Sequence, residues 1–119
     1  MAQTIFQKIG GFSTVSRVVS DFYDRVLDSE KVGDFFEDIA MDRLIDHQTK
    51  FMASLMGGPA SYSDDQVAHA HAQLDVDADS FDELVDILCS TLADHGVASA
   101  DVDLIRAEVE GRRQLIVKA

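Results

Sequence analysis

The stretch QVAHAHAQLD, residues 66–75, places His69 and His71 one alanine apart. On a helix, residues two apart point about 200° away from each other, so the two imidazoles share one metal ion only if the backbone is extended. The apolar pattern separates them. Val67, His71 and Leu74 fall at i, i+4 and i+7 and form one stripe, whereas His69 shares its side with Asp65, Gln66 and Gln73. His71 therefore faces inward and His69 faces water. An inward histidine has two readings here: a core imidazole satisfied by a backbone carbonyl, or a ligand for a bound group.

The spacing of apolar residues is helical nearly throughout, with Pro59 the only proline and no useful β-like alternation. Residues 3–9 read as a short apolar turn ended by Gly10-Gly11. Ser13 is placed to cap a helix running to about residue 28, with Val15, Val18, Val19, Phe22 and Val26 inward and Tyr23 beside them. A broken region, EKVGDFFED, carries Phe35-Phe36. Asp42 can cap the next helix, which Gly57-Gly58-Pro59 stops. The loop ASYSDD then leads into the histidine segment. Ser80 and Glu83 have the spacing of a capping box for a long helix stopped by Gly96, with Phe81, Leu84, Val85, Leu88 and Leu92 inward. Ser99 can open a final helix that buries Val102, Ile105, Val109 and Ile116 and pairs antiparallel with the one before it. The expected fold class is all-α, one domain over residues 1–119.

Composition narrows the function. A chain of 119 residues buries roughly two-thirds of its unfolded surface, enough for a real core. The net charge of −12, from 22 acidic against 10 basic residues, repels phosphate backbones and anionic lipid, so neither nucleic acid nor membrane is an expected partner. No apolar run is long enough to span a bilayer, and MAQTIFQKIGG lacks the pattern of an export signal. Cys89 is the only cysteine, which rules out an internal disulfide and leaves a cytoplasmic location as the expectation. Asp75, Asp77 and Asp79 imitate the start of a calcium loop. Ser80 stands where that loop needs glycine, and Asp86 where it needs a bidentate glutamate, so the run reads as a solvated turn before a helix.

The helix from residue 42 bears on His71. Leu44, Gln48, Phe51 and Leu55 share one face, which puts a polar amide inside an apolar stripe with His47 at its edge. An unpaired buried amide costs about 1–3 kcal/mol, so Gln48 either finds a partner in the core or faces a ligand. Tyr23 is a second polar group that can enter the same space. A closed zinc site needs four ligands, and no suitably spaced cysteine or carboxylate completes one. Haem needs only one or two protein ligands, because the porphyrin supplies the rest, together with a broad apolar slot.

In these features the chain resembles the group I truncated haemoglobins, almost end to end. The matching pieces are IFQKIGG, DFYDRVL, DFFEDIAMDRLIDHQTKF and MGGPASYSDDQVAHAHAQL. The resemblance implies a shortened globin, a two-over-two helical sandwich around haem b. It implies that His71 is the proximal iron ligand and that Tyr23, preceded by Phe22, and Gln48 are the distal hydrogen-bonding pair. Phe36 matches the aromatic that packs on the porphyrin, and Phe51, Tyr62 and Leu74 match further pocket positions. Leu44 occupies a place where many relatives carry a distal histidine or glutamine. His47 matches the histidine that binds iron from the distal side in some cyanobacterial members, which would make the site hexacoordinate. Arg43 is placed to reach a haem propionate. Some relatives attach a C-terminal histidine covalently to haem. The tail GRRQLIVKA has none, so the haem is expected to be non-covalent.

The function implied is binding of O2, NO or other small diatomic ligands, with NO dioxygenation or defence against reactive nitrogen and oxygen species as its use. That activity needs an electron-donating reductase from outside the chain. A bis-histidine electron-transfer or redox- and gas-sensing role, or simple O2 carriage, is the alternative. A monomer or weak dimer is expected.

Overall fold

The computed structural model describes residues 4–36, 40–58 and 76–117, and among them no strand occurs. The first helix, α1 (Ile5–Ile9), opens with a capping box. The Thr4 hydroxyl accepts the Gln7 backbone N–H at 3.1 Å, and the Gln7 side chain accepts that of Thr4 at 3.0 Å. Gly10 and Gly11 then turn the chain through φ values of +111° and +77°, which side chains with a Cβ rarely adopt. That turn, and not Ser13, starts α2 (Phe12–Leu27); Ser13 already lies inside the helix and is exposed. Val15, Val18, Val19, Tyr23 and Val26 are buried along α2, while Phe22 is half-buried. Tyr23 continues the i, i+4 row of Val15 and Val19, and so it takes the central place the sequence pattern had given to Phe22.

A 3₁₀ turn (Gly33–Phe36) carries Phe36 back into the core. The next helix is α3 (Met41–Leu55). Ala40 precedes it without a side-chain cap, and Asp42 sits within the first turn, where its charge opposes the helix dipole. The deepest residues of α3 are Thr49, Met52 and Ala53, followed by Met56 just past its end. Thr49 resolves its own polarity by donating to the Ile45 carbonyl at 2.7 Å. The face of Leu44, Gln48, Phe51 and Leu55 is half-buried, one step around the helix from this deepest row. Gly57, at φ +84°, ends α3, and Gly58 donates to the Ala53 carbonyl at 2.7 Å. A Cβ on Gly58 would stand 2.9 Å from that same carbonyl and 2.9 Å from the Phe6 ring, so α1 packs here only against a bare backbone.

The long helix α4 (Ala78–Asp94) is capped by Asp77, whose carboxylate accepts the Ser80 N–H at 2.7 Å. Ser80 is therefore inside the helix. Glu83 accepts the Ser29 hydroxyl at 3.1 Å instead of closing a capping box. Phe81, Val85, Leu88, Cys89 and Leu92 are buried along α4, with Leu84 half-buried. A short link containing Gly96 leads to α5 (Ser99–Glu110), which follows Ala98 and buries Val102, Ile105 and Val109. Gly111 and Arg112 interrupt the helix before α6 (Arg113–Ile116) brings Ile116 inward. The helix α2 packs against both α3 and α4, and α4 packs against α5. One hydrophobic cluster runs through all of them, with Val15, Val18, Val26, Leu92 and Ile105 fully buried. Each such side chain contributes about 1.5–3 kcal/mol by leaving water. No described helix is long and apolar enough to cross a membrane.

Candidate functional site

The site is built where α2, the 3₁₀ turn and α3 converge. Tyr23 is 5% exposed, and its ring meets Phe36 edge to face, with centroids 5.5 Å apart and planes at 71°. Phe22 meets Tyr23 in the same manner at 4.9 Å and 70°. Burial holds the Tyr23 phenol well above the ordinary tyrosine range, and no described residue hydrogen-bonds its hydroxyl. Such a group is a donor available to something other than the described protein atoms.

Helix α3 supplies the second wall. Leu44 and Phe51 are half-buried against the hydrophobic cluster that holds Tyr23 and Phe36, and Gln48 lies between them on the same face. His47 and Arg43 are exposed on α3. His71, Tyr62 and Leu74 lie outside the described residues, as does the rest of the QVAHAHAQLD segment. The structure thus brings Tyr23, Phe36, Leu44 and Phe51 into one cluster, with Gln48 on its edge and His47 and Arg43 exposed.

One neighbour of the site is absent from the sequence reading. Arg112 places its guanidinium carbon 5.9 Å from the centroid of the Phe51 ring. Its only sequence signal is the basic pair in GRRQ directly after a helix-breaking glycine. Asp77, from the imitation calcium loop, is a helix cap, and among the described residues no cluster of three or more histidine, cysteine or acidic side chains is placed to hold a metal ion.

An all-α fold with a buried tyrosine beside an aromatic-lined helix face has the design of a small globin. The comparisons bear this out. The Bacterial-like globin family model matches residues 4–117. A group 1 truncated haemoglobin from Tetrahymena pyriformis is 33% identical over 94% of this chain and 93% of its own. The crystal structure of the truncated haemoglobin of Tetrahymena pyriformis in its Fe(III) form superposes with a TM-score of 0.88 at 32% identity, covering 98% of this chain and 100% of that one. A 2/2 haemoglobin from Synechococcus, in the cyanomet state and with covalently attached haem, gives a TM-score of 0.84 at 27% identity over 96% of this chain and 98% of that one. The chain belongs to the bacterial-like globins, as a truncated haemoglobin with the two-over-two fold.

Membership implies haem-based gas binding, and the residues present fit the group. The half-buried Leu44 and Phe51 and the buried Phe36 give the apolar surface a macrocycle needs, while the Tyr23 hydroxyl, unbonded among the described residues, gives a polar contact inside it. Residues 111–119, GRRQLIVKA, contain no histidine, in keeping with haem held non-covalently.

Proposed function

We propose that this truncated haemoglobin retains O2 in a dry distal pocket and turns over nitric oxide to nitrate, drawing electrons from a separate reductase. When bound, haem would supply the iron that holds a diatomic ligand and the electron for its activation. His71 is the residue assigned to the proximal side. Tyr23 donates its hydroxyl hydrogen to the distal ligand, and Gln48 donates an amide N–H from α3. Phe36 and Phe51 wall the porphyrin and, with Leu44, keep water from competing for those donors. Arg43 remains the residue assigned to a propionate. The reading is carried by one observation: a buried Tyr23, 5% exposed as a residue, packed against Phe36, with no described residue hydrogen-bonded to its hydroxyl.

The test is consumption of nitric oxide by the reduced, haem-loaded protein in the presence of O2, with nitrate measured as product. Tyr23→Phe and Gln48→Leu should each lower nitrate yield per turnover, and the double variant should do so further. Equal yields from all four proteins would remove both residues from the reaction.

A further inference from the structure

We infer that Arg112 is a positioning residue of the haem pocket: from the junction of α5 and α6, its guanidinium fixes the Phe51 ring on the cofactor-facing side of α3. The inference rests on the reading of Phe51 as a pocket wall. Arg112 is anchored from one edge only. Its Nη1 donates to the Glu108 backbone carbonyl at 2.7 Å and to the Glu108 carboxylate at 3.1 Å. Its Nε is buried and has no hydrogen-bond partner, although the side chain as a whole is 23% exposed. A surface arginine free to choose would turn all its N–H groups to water or to an acceptor. Arg112 instead leaves one N–H dry, and the contact that accounts for this placement is the Phe51 face at 5.9 Å, within cation–π range.

The next residue makes the contrast. Arg113 stands over the Phe81 ring at 4.6 Å, and its Nε and Nη2 donate to Glu110 and Asp82. The two adjacent arginines thus grip two different helices, Phe51 of α3 and Phe81 of α4. The interruption at Gly111 lets them do so. There, Gly111 donates to the Ala107 carbonyl at 2.9 Å and Arg112 to the Val109 carbonyl at 3.0 Å. The α5–α6 junction is in this way a clasp between the distal wall and the core. Loss of the Arg112 contact removes one of the contacts that hold the Phe51 ring, and haem then leaves more easily.

The experiment is transfer of haem from the ferric holoprotein to excess apomyoglobin, with Arg112→Met, Arg112→Lys, Phe51→Leu and the Arg112→Met/Phe51→Leu pair. Proton spectra of the ferric cyanide complexes are recorded alongside. Arg112→Met should speed haem loss about two- to fivefold, the size of one partly exposed cation–π contact, and shift the haem methyl resonances. Arg112→Lys, which keeps the charge, should fall between it and the parent protein, and it carries the test if the methionine variant does not fold. In the Phe51→Leu background, Arg112→Met should add nothing further. An undiminished effect of Arg112→Met in that background would overturn the inference, since the arginine would then act on the fold at large. If Phe51→Leu speeds haem loss and neither Arg112 variant does, the inference fails while Phe51 stands as a pocket wall. If Phe51→Leu itself changes nothing, both fall together.

Discussion

The Tyr23 and Phe36 rings meet edge to face, 5.5 Å between centroids, and this contact and that with Phe22 hold the phenol in place, with no described residue hydrogen-bonded to it. An edge-to-face pair contributes about 0.5–1.5 kcal/mol beyond the area it buries, and it needs only the ring. The hydroxyl is therefore energetically separable from the ring that carries it.

That separation makes Tyr23→Phe informative. The phenylalanine keeps both aromatic contacts and abandons no partner. Thermal unfolding of the holoprotein should thus move by no more than the equivalent of about 0.5 kcal/mol. The rate of O2 release should rise about ten- to a hundredfold, as expected for loss of one hydrogen bond of about 1.5–3 kcal/mol to an acceptor with charge on it. Stopped-flow O2 dissociation and thermal melts measure the two effects. A lower melting temperature with unchanged O2 release would make the hydroxyl structural and withdraw it from the distal pair.

His47 gives the opposite case. It is exposed on α3, one residue and about 100° of helix before Gln48. To ligate iron its imidazole must leave water. The reduced, ligand-free holoprotein at neutral pH should therefore show one broad five-coordinate visible band, and His47→Ala should leave it unchanged. Sharp, split low-spin bands that disappear in His47→Ala would show a bis-histidine clamp. Ligand affinity would then be lowered by the fraction of protein clamped.

The sequence was most legible where periodicity acts alone. The rows through Val15, Val19 and Val26, and through Val102, Ile105 and Val109, are buried as their spacing predicts. It was least legible at helix starts. Ser13, Asp42, Ser80 and Ser99 are all good capping types, yet the residues before these helices are Gly11, Ala40, Asp77 and Ala98. A cap is chosen by where the chain enters the helix, and two positive-φ glycines or an upstream aspartate decide that before a serine can. The site divides similarly. The Tyr23–Phe36 pair was readable only with the family pattern in hand, because the 3₁₀ turn that delivers Phe36 has no periodic signal. The half-buried row of Leu44, Gln48 and Phe51 was found as a face, but burial places it beside the deepest row of α3 and not within it. The Arg112–Phe51 contact joins residues on α3 and after α5, and no local pattern reports a pairing of that range.

The charge cluster that ties the end of α4 to α2 predicts an acid response. His95 Nε2 lies 3.0 Å from Asp21 Oδ2, and Arg25 bridges Asp21 at 3.0 Å and Asp94 at 2.8 Å. The hydrogen bond from His95 is the foremost cause holding the Asp21 carboxyl below its ordinary range. Arg25 adds to it, and partial burial works against both. A carboxyl lowered in the folded state contributes stability that is fully present above its unfolded pKa, and that stability disappears as pH falls through the lower folded value. The window is thus below about pH 4. The Asp21 side chain is 35% exposed, so solvent and salt screen the contribution and it stays small. His95→Ala should move the Asp21 carboxyl titration upward, toward the ordinary aspartate range, when followed by carbon NMR. Asp21→Asn should flatten the fall in urea midpoint of the holoprotein between about pH 4 and pH 2, and high salt should shrink the difference between it and the parent. An Asp21 titration that stays put in His95→Ala would assign the whole effect to Arg25. The histidine would then be a passenger at the end of α4.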